Sequence, residues 1–493
     1  MVFTSPRFAA FLVLLLVILA LVHRREANKR ILAVASCIFY AAWDWRYLSL
    51  LLAVSVIDYF SANRIVANSS RSGRKRWLLV SIISNLGLLA YFKYCNFFIG
   101  NFNALTGCFG FTIPHLDILL PVGISFFTFK TMSYTIDVFR GHLQPCSSWL
   151  DYVTFVTFFP ELIAGPIVRG SVFLPQMGRV IGPSTERVVS GSSLFLMGMI
   201  KKLFIADRLS GLADSYFAAP ELFTSASAWC AVVAYTIQIY CDFSGYSDMA
   251  IGTARMIGYD LPENFRMPYL SLNITDFWRR WHITLSTWLR DYLYIPLGGN
   301  RHGTFKTYRN LTLTMLLGGL WHGASWNFVA WGGLHGGTLA LHKMYSKRTE
   351  RLAVMPPVLG WSLTLLFVML CWVPFRSRSF HDTIIILKSL FGVSAGPYQF
   401  LPFWFFCCLS LCLIGHWLGF MWMEKPQPLA SQTSFEKRLL ASLGFHIEHH
   451  PISGAILFPR QVTACGLYVI VFVLLMLFFF APLITNPFIY FQF

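Results

Sequence analysis

Apolar runs dominate the chain, and short basic loops punctuate them. The first run, 8–22, follows a lone Arg7 and ends at His23-Arg24-Arg25. A secretory signal carries its charge before the apolar run and a small-residue cleavage site after it. Here the charge follows and no A-x-A site appears, so the run predicts a retained first span with its basic end in the cytoplasm. Loop 23–30 carries Arg24, Arg25, Lys29 and Arg30, and loop 64–76 carries Arg64, Arg71, Arg74, Lys75 and Arg76. The apolar stretch between them is broken only by Asp44-Trp45-Arg46. That pattern predicts two short spans joined by a tight outer turn, with both basic loops cytoplasmic. Each span is shorter than the usual ~20 residues. Run 77–98 returns outward. Further runs lie at 118–129, 152–168, 192–205, 226–240, 311–320, 328–341, 359–375, 400–423 and 465–484. Several are too short or too polar to cross alone and read as re-entrant segments. The expectation is an all-α polytopic integral membrane protein of roughly ten to twelve transmembrane helices plus re-entrant and interfacial pieces. No repeat or low-complexity linker divides it, so 1–493 reads as a single polytopic domain, with the polar loop 424–460 a cytoplasmic or surface connection.

Composition agrees. Of 493 residues, 56% are hydrophobic and 12% charged, and mean hydropathy is +0.58. A soluble domain carries about 25% charged residues. The net charge of +17, from 39 Lys+Arg against 22 Asp+Glu, could suggest a polyanion partner. The basic residues sit in short loops between apolar runs, however, which is the positive-inside bias of a membrane protein, so no nucleic acid is expected. The 11 cysteines show neither a disulfide framework nor metal spacing. Cys407, Cys408 and Cys412 fall in an apolar run and read as small hydrophobes. There is no G-x-S-x-G, no phosphate-binding loop, no H-E-x-x-H and no dinucleotide fingerprint. Serine-elbow hydrolysis, ATP-driven pumping and zinc proteolysis all lose support.

Polar residues inside membrane-embedded sequence are costly and mark function. They concentrate at 235–345. The first group is Gln238-Ile-Tyr-Cys-Asp242-Phe-Ser244-Gly245-Tyr246-Ser247-Asp248. Asp242 and Asp248 are expected to hold helices together or pair with arginine. Next comes Asp276-Phe-Trp278-Arg279-Arg280-Trp281-His282-Ile-Thr-Leu-Ser286-Thr-Trp288-Leu-Arg290-Asp291. Taken as one helix, it sets Trp278, Trp281, His282 and Trp288 near one face beside Arg279, Arg280 and Arg290, as in a helix lying at the membrane interface. Anchoring alone explains the tryptophans but not the imidazole among them. His322 ends a charge-free run, and Gly323 and Ala324 beside it would leave room for a ligand. With an ordinary pKa of about 6.5, an imidazole there can take and return a proton. A core histidine bonded to a neighbouring helix fits the same placement. His335 and His342 read as structural or path-lining. His446, His449 and His450 have ligand-like spacing but lack a further ligand, so no metal is expected. Segment 159–169 sets Glu161 between Pro160 and Pro166, which suits unwound backbone lining a cavity or a kinked packing helix.

Arg280-Trp281-His282-Ile-Thr-Leu-Ser286-Thr-Trp288-Leu-Arg290-Asp291-Tyr292, followed by Pro296-Leu-Gly298-Gly299-Asn300-Arg301 and Trp321-His322-Gly323, resembles the signature of the membrane-bound O-acyltransferase family. The likeness is greatest to its bacterial alginate O-acetyltransferase-like branch. It runs almost end to end, through 121–140, 159–169, 240–252 and the terminal Phe488-Ile-Tyr-Phe-Gln-Phe493. The resemblance implies a many-helix barrel around a central tunnel, with the family's near-invariant histidine at His322 and its second polar active-site position at His282. His322 would be general base on the acceptor hydroxyl. His282 would orient it or stabilise charge on the tetrahedral intermediate, with Asn327 as a nearby donor and Trp281 and Trp321 supporting the site. Arg279, Arg280 and Lys306 are candidates, on charge alone, for the donor's phosphates. Position 161 is often Gln or His in relatives, so Glu161 is given no role. The resemblance further implies a bacterial inner membrane location, no bound cofactor and acetyl-CoA as donor. The acceptor would be an exported polysaccharide, with a periplasmic acetyltransferase or carrier protein as partner. A thioester is already activated, which fits the missing phosphate loops. Two other classes stay open: a transporter or flippase, although no inverted repeat is visible, and a secretion scaffold, which would leave both histidines unexplained. Alginate, cellulose, peptidoglycan and other exopolysaccharides all remain possible acceptors.

Overall fold

A computed structural model describes residues 1–22, 24–178, 182–349, 355–392, 396–397 and 402–419, the backbone of two strands at 445–450 and 454–459, and Phe488. The expected all-α architecture holds, apart from an antiparallel hairpin of Phe445–His450 with Gly454–Pro459 inside the loop read as a connection. The side chains of His446, His449 and His450, and the run 465–484, lie outside the described residues. Among those residues, Arg25–Ala67, Arg71–Phe109, Thr185–Ala218 and Pro357–Arg376 are long and apolar enough to cross a membrane. Pro6–Leu21 and Phe403–Gly419 are shorter apolar helices. The chain divides into two compact units, 1–195 with 249–262 and 196–248 with 263–493.

In the first unit, Ser5 Oγ caps helix Pro6–Leu21 by accepting the Phe8 N–H. Helix Arg25–Ala67 breaks where the two spans were expected to meet, with Asp44 extended at φ −157°, ψ 114°. The Asp44 carboxylate accepts the Arg46 backbone N–H at 3.0 Å, a donor that the broken helix no longer serves, and its guanidinium at 2.6 Å. Helix Ile124–Arg140 is almost wholly buried. Its Thr131 and Thr135 close a polar chain in which Asn85 donates to Asp58 at 2.9 Å and accepts from Thr131 at 2.9 Å, while Ser81 meets Thr135 at 2.8 Å. Buried polar groups in a membrane protein persist when paired in this way. Segment 159–169 is a single helical turn, Phe159–Leu162, followed by irregular backbone, all of it buried up to Val168. Glu161 forms a buried ion pair with Lys130, whose ammonium also donates to the Phe155 carbonyl. The adjoining cavity, lined by Phe126, Lys130, Glu161 and Pro166, is about 10 Å³, room for one water at most.

In the second unit, the helix from Ile200 to Ala206 widens into a π turn. Lys202 Nζ there lies 2.8 Å from Asp207 and 2.6 Å from Asp242, and Lys201 Nζ lies 2.6 Å from Asp248. Of the two alternatives, the carboxylates hold helices together, and the cations they meet are lysines. Helices Thr304–His322 and Trp326–Thr349 form an antiparallel hairpin with little between them. A Cβ at Gly319 would strike the Phe328 carbonyl, one at Gly332 the Met315 carbonyl, and one at Gly336 would sit 2.8 Å from Thr312 Cα. Such small-residue seams let membrane helices approach closely.

Candidate active site

The expected helix over 276–291 is two short helices. Ile274–Arg280 is capped by Asn273, whose Oδ1 accepts the Asp276 N–H at 2.9 Å, and Ile283–Leu289 follows. Between them His282 adopts φ 42°, ψ 55°. The reason lies in a distant loop: Ile283 N–H donates to the Asn264 carbonyl and Arg266 N–H to the Arg280 carbonyl, both at 2.9 Å. These bonds replace a helical continuation with a bridge to 264–266. A left-handed backbone at a non-glycine residue costs on the order of 1–3 kcal/mol and persists where the surroundings over-determine it. The tryptophans do not anchor an interface. Trp278, Trp281 and Trp288 are 9%, 1% and 5% exposed, because the break turns them into the core.

His282 is fully buried. Phe243 stands edge-on to it at 4.7 Å, Phe265 stacks at 6.3 Å and Trp321 lies at 6.1 Å, between ring centroids. Its Nδ1 meets Asn264 Oδ1 at 3.0 Å. Burial lowers its pKa to about 3, so the ring is neutral. Trp321 in turn lies 5.0 Å from His322, the last residue of its helix. Trp331 at 5.0 Å and Phe375 at 5.2 Å complete the aromatic enclosure of His322. The two imidazoles expected to work together therefore flank one indole. The hydrogen bond of His282 goes to Asn264, so His282 does not orient His322 by a direct bond.

Other expectations fare variously. Trp281 packs flat on Phe277 at 5.6 Å and beside Trp372 at 5.0 Å, beneath the His282 backbone. Asn327 gives one amide N–H to the Ser377 carbonyl at 2.9 Å, and among the described residues its buried Oδ1 has no hydrogen-bond partner. The room expected beside Gly323 is filled, since a Cβ there would overlap the Phe328 ring. Arg280 is engaged by Asp276 at 2.9 Å, whereas Arg279 and Lys306 are exposed. Lys306 sits near the opposite end of the His322 helix, roughly 24 Å away at 1.5 Å per residue. His335 accepts the Trp278 indole N–H at 3.3 Å and His342 meets Thr275 at 2.9 Å, both structural arrangements. Asn264, Lys201 and Lys202 escaped sequence reasoning. Asn264 is separated from His282 by 18 residues, and no local period links them.

The model of the membrane-bound O-acyltransferase family matches residues 139–374. The "Probable alginate O-acetylase AlgI" of Azotobacter vinelandii is 45% identical over 397 residues, covering 80% of this chain and 78% of the relative. The chain belongs to the membrane-bound O-acyltransferase family. As a member it is a multi-pass membrane enzyme that transfers acyl groups to oxygen. The "Peptidoglycan O-acetyltransferase" of Helicobacter pylori is 40% identical, covering 74% of this O-acyltransferase and 73% of that protein. The "Teichoic acid D-alanyltransferase" of Bacillus subtilis is 25% identical over 54% of the enzyme. The family match spans both imidazoles and the indole between them.

Proposed function

We propose that this O-acyltransferase moves an acetyl group from a cytoplasmic thioester, acetyl-CoA, to hydroxyls of an exported polysaccharide. It would work in the bacterial inner membrane, with the whole chain as one polytopic domain. Delivery is direct or through a periplasmic acetyltransferase or carrier protein. The observation that carries this reading is the buried pair His282 and His322 on either side of Trp321. Relatives named for acetyl transfer to alginate and to peptidoglycan support the acetyl group and the polymer class. One imidazole takes the hydroxyl proton and the other steadies charge on the thioester oxygen. General base catalysis of this kind contributes typically 10²–10⁴-fold. Exposed Arg279 and Lys306 are offered to the donor's phosphates.

The test is ester-linked acetate on the surface polysaccharides of a deletion strain carrying wild type, His322→Ala or His282→Ala. Acetate restored by wild type alone, with equal membrane levels of all three proteins, supports the reading, and the acetylated polymer identifies the acceptor. Full acetate from either variant would make that histidine structural and favour a flippase or scaffold.

A further inference from the structure

Helix Trp326–Thr349 carries Trp331, His335, Thr338 and His342 at i, i+4, i+7 and i+11, which is one face of the helix. At one end of that face Trp331 lies 5.0 Å from His322, and His335 lies 4.7 Å from Trp331, between ring centroids. At the other end Thr338, His342 and Ser346 face Gly360, Thr364 and Phe367 across a cavity of about 540 Å³. Phe367 lines that cavity and also stands edge-on to His335 at 5.3 Å. The cavity end carries Lys343 and Lys347, and Lys347 Nζ reaches Thr304 Oγ1 at 3.5 Å, at the start of the helix that holds Lys306 and Arg309. By the positive-inside bias this is the cytoplasmic end. Two donors on the face meet no acceptor. The Trp278 indole N–H, which can only donate, reaches His335 Nδ1 at 3.3 Å, so Nδ1 is the bare nitrogen and the proton of the neutral ring sits on Nε2. Among the described residues neither that Nε2 nor the Trp331 indole nitrogen has a hydrogen-bond partner, although His335 and Trp331 are 0% and 1% exposed. Buried donors left unmet are costly, and two in a row ask for a ligand with two acceptors.

We propose that His335 is a specificity-determining residue whose Nε2–H binds the first amide carbonyl of the donor's pantetheine arm, while the Trp331 N–H binds the thioester carbonyl. The inference rests on the reading of this site as an acyl-transfer centre and names the part of the donor, beyond its acyl group, that the site reads. In a thioester of cysteamine the two-carbon linker sets the thioester and amide carbonyls roughly 6 Å apart. Side chains at i and i+4 of a helix are roughly 5–6 Å apart, so Trp331 and His335 match that spacing. With the acyl carbon at His322, the arm runs back along this face, past a displaced Phe367 and into the cavity, and its phosphates end among the lysines of the cytoplasmic end. Proton transfer stays with His322, and none passes through His335. The same arm is carried by coenzyme A and by the prosthetic group of a carrier protein.

The experiment supplies labelled acetyl thioesters to permeabilised cells of the complemented deletion strain and compares kcat/KM for polysaccharide-bound label. The donors are acetyl-CoA, an acetylated carrier protein, S-acetyl-N-acetylcysteamine, which keeps the first amide, and S-ethyl thioacetate, which lacks it. Wild type is expected to prefer the amide-bearing member of the two short donors by roughly tenfold, the worth of one buried hydrogen bond. His335→Phe should lose that preference, and so should His335→Asn, which keeps an acceptor for the Trp278 N–H. His335→Gln, whose amide reaches the Nε2 position, should restore it. Trp331→Phe should slow both short donors alike, because both contain the thioester carbonyl. A wild type without preference, which needs no variant to fold, overturns the proposal, as does a preference kept in both His335→Phe and His335→Asn. Loss of labelling in His335→Phe from acetyl-CoA or from the carrier protein supports it and names the source of the arm. If wild type transfers from none of the thioesters, the reading of the site fails instead.

Discussion

Replacing Lys202 with methionine keeps the length of the side chain and removes a cation shared by Asp207 and Asp242. Lys202, Asp207 and Asp242 are 4%, 7% and 2% exposed. Each carboxylate then either stays charged without that cation or binds a proton. An ordinary aspartate has a pKa of about 3.9, and each pH unit above it costs about 1.4 kcal/mol to keep the proton, so one neutral carboxyl at pH 7 costs about 4 kcal/mol. That falls within the ~3–5 kcal/mol expected for breaking a buried pair from one side. Protonation costs less in acid, so the deficit should shrink by about 1.4 kcal/mol per pH unit between pH 7 and 5. Adding Asp242→Asn to Lys202→Met should return most of it. The assay is the thermal midpoint of the purified protein in detergent at pH 7.5 and 5.5. Transfer activity should fall with stability, since the helix turns between Asp242 and Asp248 carry Phe243, against His282, and Ser247, bonded to Asn264. A Lys202→Met protein that melts with wild type at both pH values, or a double variant no better than the single, refutes the reasoning.

Three further outcomes follow from the same geometry. Gly332→Val should push helix Trp326–Thr349 off the Met315 carbonyl and cost about 1–3 kcal/mol, seen as a lower melting point and less monodisperse protein on size exclusion. Lys130→Met should be more damaging alone than with Glu161→Leu, because the double variant leaves no buried charge; equal melting points for the two would contradict this. Burial lowers the His282 pKa from about 6.5 to about 3, so stability is lost as pH falls below about 6.5, by about 1.4 kcal/mol per unit. His282→Gln should flatten the loss between pH 6 and 4.5, and unchanged slopes in urea titrations would count against it.

Features that depend on neighbours in sequence were legible. The break at Asp44 follows from one polar triplet in an apolar stretch, and its own side chain completes the turn. His322 is visible as the end of a charge-free run. The break at His282 was hidden, because Trp278, Trp281, His282 and Trp288 fit a helical period whether the helix is continuous or not. What decides between the two is a backbone bond from Ile283 to Asn264, and no periodicity reports a partner in another loop. The partners of Asp242 and Asp248 were hidden for a related reason. Lys201 and Lys202 lie in a run read as a span, and no local period links them to Asp242 and Asp248, far along the sequence. Gly323 misled in the opposite direction, since a missing side chain marks space for whatever comes nearest, here the Phe328 ring.

The enclosure of the two imidazoles bears on how the His282 ring is held. Aromatic rings surround His282 and His322 at centroid distances of 4.7–6.3 Å, and rings make only weak hydrogen bonds. In a polar pocket an imidazole could turn toward any of several partners, and its tautomer would be shared among them. Here the polar atom that Nδ1 finds is Asn264 Oδ1, so the tautomer follows from one residue. On the proposed function, the same rings would keep bulk water from a thioester that water would hydrolyse to no purpose. An enclosure of this kind removes redundancy from the orientation of the His282 ring, and the loop 264–266, remote in sequence, supplies the bonds that hold it.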